Sequence, residues 1–90
     1  MKYSIQQIDE IRTTILGIKI KKEELEDLEV EVYEITDSTK ELYSLSFYYS
    51  GEERLFEISS LRLIDHYNVK ITNLKREIIS LEKRLQELVK

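Results

Sequence analysis

Residues 59–88 read SSLRLIDHYNVKITNLKREIISLEKRLQEL, and they constrain the fold more than any other segment. Their apolar residues recur at alternating intervals of three and four, which is the period of a helix that packs along one seam. The segment contains neither Gly nor Pro, and Ser59 or Ser60 is a good N-cap. We predict a helix over about residues 60–89 with the following seam: Ile64, Tyr67, Ile71, Leu74, Ile78, Leu81, Leu85 and Leu88.

A second heptad pattern lies near the start of the chain. Ser4 and Gln7 fit a capping box, in which each side chain bonds a free amide of the first helical turn. The polar Lys22 interrupts the seam that follows, and Gly17 inside the helix should cost about 1 kcal/mol relative to Ala. We predict a helix over about residues 4–27 with this seam: Ile8, Ile11, Ile15, Ile18 and Leu25.

Between the helices the apolar period changes to two. β-branched and aromatic residues alternate with polar ones in three short segments, about 28–36, 41–49 and 54–58, as half-buried strands require. Gly51 can adopt the positive φ of a tight turn between the last two. The alternative for 28–36 is a continuation of the first helix, because these residues also fit its period: Leu25, Leu28, Val32 and Ile35.

These segments predict an α+β fold with the order α-β-β-β-α. Two long heptad-bearing helices flank a small three-stranded antiparallel β-meander and pair with each other in the manner of a coiled coil. A chain of 90 residues has room for one domain, here residues 1–90.

Composition excludes several classes of protein. The chain has no Cys and therefore neither a disulfide nor a thiolate metal site. A net charge of −4 argues against nucleic-acid binding through a general basic surface. No apolar run approaches the roughly 20 residues of a membrane span, and no signal-peptide core follows Met1. We expect a soluble cytoplasmic protein that contacts neither membranes nor nucleic acid directly.

The length of the second helix predicts self-association. About 30 helical residues span about 45 Å, which is more than three short strands can cover. The rest of its seam needs another helix, so we expect a homodimer, with a tetramer as the alternative and an internal core as the competing interpretation.

Acidic residues cluster without any Lys or Arg among them. A solvated helix face, or a protein surface that competes with nucleic acid for a basic groove, would account for them. Neither an EF-hand nor a Glu-x-x-His spacing is present, so we expect no metal and no cofactor. We call this set the acidic run: Glu23, Glu24, Glu26, Asp27, Glu29, Glu31 and Glu34.

No combination of residues indicates catalysis. His66 is the only histidine, and the sequence identifies no nucleophile or second base beside it. Tyrosines of the predicted strand at 41–49, together with Arg54, Arg62 or the Lys19–Lys22 cluster, could instead bind a small nucleotide-like ligand at a subunit interface by stacking and charge. These candidate ligand-binding residues are Tyr43, Tyr48, Tyr49, Arg54 and Arg62.

The organisation of helix, small β element and helix resembles the prefoldin plan. A small acidic α-β-β-β-α chain is also similar to some phage anti-CRISPR proteins, which block basic nucleic-acid grooves; that resemblance implies an inhibitor of a host defence protein. Neither rests on a residue motif. We expect a non-enzymatic, homo-oligomeric protein that binds and occludes or bridges another macromolecule, most simply a protein. The alternatives are a nucleotide-sequestering protein and a structural coiled-coil spacer.

Overall fold

The computed structural model describes residues 3–90 and contains two helices and two strands. The order is α1 (Ile5–Asp37), β1 (Leu42–Tyr49), β2 (Glu52–Ser59) and α2 (Ser60–Leu88). The predicted three-stranded meander is therefore wrong, because the fold is α-β-β-α with a single antiparallel hairpin. The two helices pack against each other along their length, as the heptad patterns predicted.

Residues 28–36 belong to α1 and form no strand. Their β-branched residues favour a strand only weakly, since β propensity depends on the packing that a residue finds. Here the packing partner is α2, a helix of 29 residues. A first helix ending at residue 27 would leave part of α2 uncovered, whereas the 33 residues of α1 match it over its whole length.

The seam of α1 differs from the predicted one at two positions, while Ile8, Ile11, Ile18 and Leu25 lie in it as predicted. Thr14 is buried while Ile15 is exposed, and Lys21 rather than Lys22 lies at the half-buried position. Burial of Thr14 leaves no unpaired hydroxyl, because its Oγ1 donates a hydrogen bond of 2.7 Å to the carbonyl oxygen of Glu10. The seam then continues at unbroken intervals of three and four through Leu25 and through three residues of the predicted strand at 28–36: Leu28, Val32 and Ile35.

Both helix starts are capped by serine. Ser4 and Gln7 form the predicted capping box, with reciprocal hydrogen bonds of 3.1 Å and 2.8 Å. Ser59 is the N-cap of α2, and its Oγ accepts a hydrogen bond of 3.2 Å from the amide of Arg62. Each serine satisfies an amide that the helix itself leaves free, which fixes where the helix begins.

Three contacts define one antiparallel register for the helix pair. A Cβ placed on Gly17 would lie 3.6 Å from Leu81 Cδ1. Four residues further along α1, Lys21 Nζ lies 2.7 Å from Glu77 Oε2, four residues back along α2. Ten residues further again, Glu31 shares a side-chain hydrogen bond with Tyr67. Equal steps in opposite directions mean that the helices stay level from Gly17 to Glu31.

The strands are joined by a two-residue turn. Ser50 has φ of 52° and Gly51 has φ of 77°, the pattern of positive angles that a type I′ turn requires. The pairing that results runs from Tyr49 opposite Glu52 to Leu42 opposite Ser59. At the other end, the amide of Ser60 donates a hydrogen bond of 2.8 Å to the carbonyl oxygen of Glu41, which holds the hairpin to the start of α2.

The molecule is a single layer. Its extents are 57 × 34 × 14 Å, and because α1 alone is about 50 Å long, the hairpin widens the molecule rather than lengthening it. The core is a thin strip between the helices, and its most deeply buried apolar side chains in the described residues, Leu63 and Ile78, still expose 6% of their surface. The core residues are Ile18, Ile35, Leu63, Ile71, Leu74 and Ile78.

Candidate interaction surfaces

One face of the β-hairpin carries most of its apolar side chains. Residues directly opposite each other in an antiparallel pair point to the same face, so Leu45 shares a face with Phe56. Phe47 lies on the same face, and its ring packs edge-on against Phe56 with the ring centres 5.6 Å apart. Both rings remain exposed, because only the end of the hairpin near α2 is packed against a helix. This face is an uncovered aromatic surface.

The other face and both edges of the hairpin are also open. Tyr48 exposes 76% of its surface and Leu55 exposes 71%. The sheet has only two strands, so each strand has one edge whose backbone groups pair with no further strand of the described chain. Isolated two-stranded sheets are marginally stable in water, and open edges readily accept another strand. The hairpin therefore leaves both faces and both edges accessible in the described chain.

The three tyrosines predicted to bind a ligand are spread along β1. Tyr43 lies near the base of the hairpin, where Lys40 Nζ is 5.0 Å from the centre of its ring. Tyr49 lies at the tip, about 20 Å further along the strand. Tyr48 and Tyr49 are neighbours in sequence, so their side chains point to opposite faces. The structure does not gather these rings around one cavity.

The two predicted arginines lie at different ends of the hairpin. Arg54 is next to the tip, and its Nη2 lies 3.6 Å from Glu52 Oε2 in an exposed ion pair. Arg62 lies in the first turn of α2 and lines a shallow depression beside Phe56. Binding of a small ligand by these residues stays a prediction.

The acidic run lies entirely on α1, and all seven side chains are exposed. The helical period divides it between the two sides of the layer. Glu26 and Glu29 line a groove on one side, which we call the groove side, while Glu24 and Asp27 line a shallow depression on the opposite, polar side. Within residues 3–90, no three His, Cys, Asp or Glu side chains are grouped so that they could hold a metal ion.

Glu31 is the member of the acidic run that interacts with a side chain of α2. It accepts a hydrogen bond from the Tyr67 hydroxyl across the helix pair. This bond, followed by partial burial and the negative charge of Glu31, raises the pKa of Tyr67 above its ordinary value. Tyr67 therefore lies in the predicted seam of α2 and also forms a hydrogen bond with Glu31 of α1.

The seam of α2 faces α1 of the same chain. Ile71, Leu74 and Ile78 are buried, and the other five residues of the predicted seam are half-buried. The competing interpretation of the seam as an internal core thus accounts for its contacts within one chain. A role of these residues in self-association stays a prediction.

The groove side has a cavity of about 650 Å³ between the helices. Leu25 and Ile78 form its floor at the edge of the core, and three exposed apolar side chains surround it: Val30, Tyr33 and Ile79. Two lysines and two glutamates complete its lining: Lys22, Lys75, Glu26 and Glu29.

Sequence reasoning missed Val30, Tyr33, Lys75 and Ile79 as functional candidates. Val30 and Tyr33 lie within the predicted strand at 28–36, and they come beside the seam only because this segment is part of helix α1. Ile79 follows the seam residue Ile78 directly, and a second apolar residue at that point widens the apolar stripe beyond what one neighbouring helix covers.

His66 is exposed on α2, with its ring centre 6.0 Å from that of Tyr67. No helix in the described chain is both long enough and apolar enough to cross a membrane.

Comparison with protein families, with curated proteins and with solved structures finds no match for this chain.

Proposed function

We propose that this chain is a non-enzymatic, self-associating interaction protein of the cytoplasm that binds another protein through its β-hairpin. The observation that supports this most directly is the aromatic hairpin, which projects from the side of the helix pair and leaves Phe47, Phe56 and Tyr48 uncovered. Exposed aromatic residues of this kind supply most of the binding energy in protein interfaces.

The open strand edges favour a protein as the partner. A partner strand that adds to the edge gains backbone hydrogen bonds, and side chains on alternate positions then provide specificity. Phe47 and Phe56 would contact the partner on one face of the hairpin, and Tyr48 and Leu55 on the other. The rigid helix pair holds the hairpin away from the rest of the chain, so one hairpin occludes a surface and two hairpins of a dimer bridge two surfaces.

Proximity labelling in the source cells, combined with purification of the tagged chain, tests this function. The variant Phe47→Ser/Phe56→Ser removes the aromatic face, and Leu61→Ser/Val69→Ser is its control, because Leu61 and Val69 are exposed apolar residues on α2, outside the hairpin. We expect one protein to be enriched by the wild type and by the control and lost with the hairpin variant. The purified partner should then bind the wild-type chain directly in vitro.

Two outcomes would contradict the proposal. Enrichment that is the same for all three chains would mean that the hairpin is no binding surface, as expected of a structural spacer. An excess of absorbance at 260 nm in the purified chain, lost on denaturation and filtration, together with loss of that excess in Tyr43→Ala, would instead favour the nucleotide-sequestering alternative.

A further inference from the structure

The chain exposes more surface than a folded monomer of its size. Its accessible surface is 7438 Å², whereas a monomeric protein of 10.8 kDa exposes about 5,500 Å². The surplus of about 1,900 Å² is more than twice the roughly 800 Å² that one partner contributes to a dimer interface of standard size. There is enough surplus surface for a dimer interface and for the hairpin.

The two sides of the helix layer differ in polarity, and therefore in how favourable it is to bury them in an interface. On the polar side, the depressions are lined mainly by charged and amide side chains such as Glu24, Asp27 and Asn73. On the groove side, Val30, Tyr33 and Ile79 surround a cavity of about 650 Å³, and Tyr33 exposes 69% of its surface. An apolar groove of this volume on a one-layer molecule lacks the second layer that a helical core normally has.

The charges of the groove have a polarity along its axis. Lys21 lies level with Glu77, so in this antiparallel pair Lys75 lies level with residue 23, next to Lys22. Lys22 and Lys75 therefore form a basic end of the groove. Glu26 and Glu29 lie about 6 and 10 Å beyond Lys22 along α1, and they form the acidic end of the groove. Consider a second copy related by a two-fold axis that lies between the two layers, perpendicular to the helices and level with Leu25. Its acidic end then faces the basic end of the first copy, and its basic end faces the acidic end of the first copy.

The same rotation matches the apolar residues. It brings Ile79 of one copy to the level of Val30 and Tyr33 of the second copy, on opposite sides of Leu25. Ile79 of each copy and the pair Val30 and Tyr33 of the other copy then cover each other, and Leu25 and Ile78 become parts of a two-layer core. A parallel arrangement would instead bring the two basic ends to the same level and the two acidic ends to the same level, which is unfavourable.

We propose that the groove side is the self-association surface, and that two copies pack antiparallel through it as a four-helix bundle held by Val30, Tyr33 and Ile79 and by pairs between the basic and acidic ends. This rests on the self-association in the proposed function and adds its surface and symmetry. It also places the two hairpins at opposite ends of the dimer, which suits a protein that bridges two partners.

Charge reversal at each end of the groove tests this dimer. In Lys22→Glu/Lys75→Glu the groove is entirely acidic, and in Glu26→Lys/Glu29→Lys it is entirely basic. Light scattering behind size exclusion should give a dimer for the wild type, a monomer for each variant and a dimer for their equimolar mixture. The matched controls on the polar side, Lys70→Glu/Arg84→Glu and Glu24→Lys/Asp27→Lys, change the net charge equally and should stay dimeric.

The outcomes distinguish this inference from the function itself. A monomeric wild-type chain at about 100 μM, or groove variants that remain dimeric while circular dichroism shows them folded, would overturn the groove as the interface. Loss of helicity in one variant leaves the other variant as the test. Partner binding through the hairpin is read separately with Phe47→Ser/Phe56→Ser, which should remain dimeric, so its result is independent of the groove.

Discussion

Lys21 Nζ lies 2.7 Å from Glu77 Oε2, so an ion pair joins the two helices at the point where α1 has a lysine in its apolar seam. A single polar residue in such a seam fixes the register of a helix pair at some cost in stability. Helices with repetitive apolar seams can slide by one heptad without losing most of their contacts, and this pair is satisfied in one register only.

Exchange of the two charges tests whether this pair sets the register. Lys21→Glu places two carboxylates side by side and should lower the melting temperature by several degrees. The double variant Lys21→Glu/Glu77→Lys restores opposite charges and should recover most of that loss in thermal unfolding followed by circular dichroism. Lys19→Glu on the exposed surface is the control and should leave the melting temperature nearly unchanged. A double variant no more stable than Lys21→Glu would show that the pair does not matter.

The two glycines of the chain should respond to alanine in opposite directions. Gly17 lies inside α1, and a new Cβ would meet Leu81 Cδ1 at 3.6 Å, an ordinary contact distance. Gly17→Ala should therefore raise the free energy of unfolding by about 0.5–1 kcal/mol, because alanine is the better helix former. Gly51 has φ of 77°, where a Cβ is strained, so Gly51→Ala should lower it by about 1–2 kcal/mol. Urea denaturation measures both free energies of unfolding. A destabilising Gly17→Ala would mean that the helices pack too closely at residue 17 to leave 3.6 Å between a new Cβ and Leu81 Cδ1.

Stability should fall at alkaline pH because two groups hold their protons more tightly in the folded chain. The hydrogen bond to Glu77 raises the pKa of Lys21 above 10.5, against the smaller effect of burial, and the hydrogen bond to Glu31 raises the pKa of Tyr67 above 10.0. A raised folded pKa contributes stability that is complete below the ordinary value and is lost as the pH rises through the raised value. The melting temperature should fall from about pH 10 upward, and it should fall less steeply in Tyr67→Phe. An identical slope in the variant would rule out the bond to Glu31 as a cause.

The second helix and the hairpin turn could be predicted from the sequence because their signals are local. The regular spacing from Ile64 to Leu88 and the serine N-cap fix α2, and Ser50-Gly51 fixes the turn. The error at residues 28–36 arose because Val30, Val32 and Tyr33 suit a strand locally, whereas the long contact with α2 makes them helical. That error also set the seam of α1 wrongly, since Leu28, Val32 and Ile35 are the residues that select Thr14 and Lys21 over Ile15 and Lys22.

The groove could not be predicted at all with a strand at 28–36. Val30 and Tyr33 reach the same side as Ile79 only when α1 is continuous and level with α2, and that depends on the register that Lys21 and Glu77 define. The acidic run, in contrast, was readable as a set of exposed residues, but its division between two sides of the layer needed the helical period.

The most direct test of the antiparallel dimer is a distance between identical sites in the two copies. The chain has no Cys, so Glu23→Cys and Gln6→Cys each accept one spin label for pulsed electron paramagnetic resonance. A two-fold axis near Leu25 predicts a short distance, about 20–30 Å, at residue 23 and a distance of about 55–60 Å at residue 6, from the helical rise per residue. Short distances at both sites, or no dipolar coupling at residue 23, would contradict the dimer proposed for this chain.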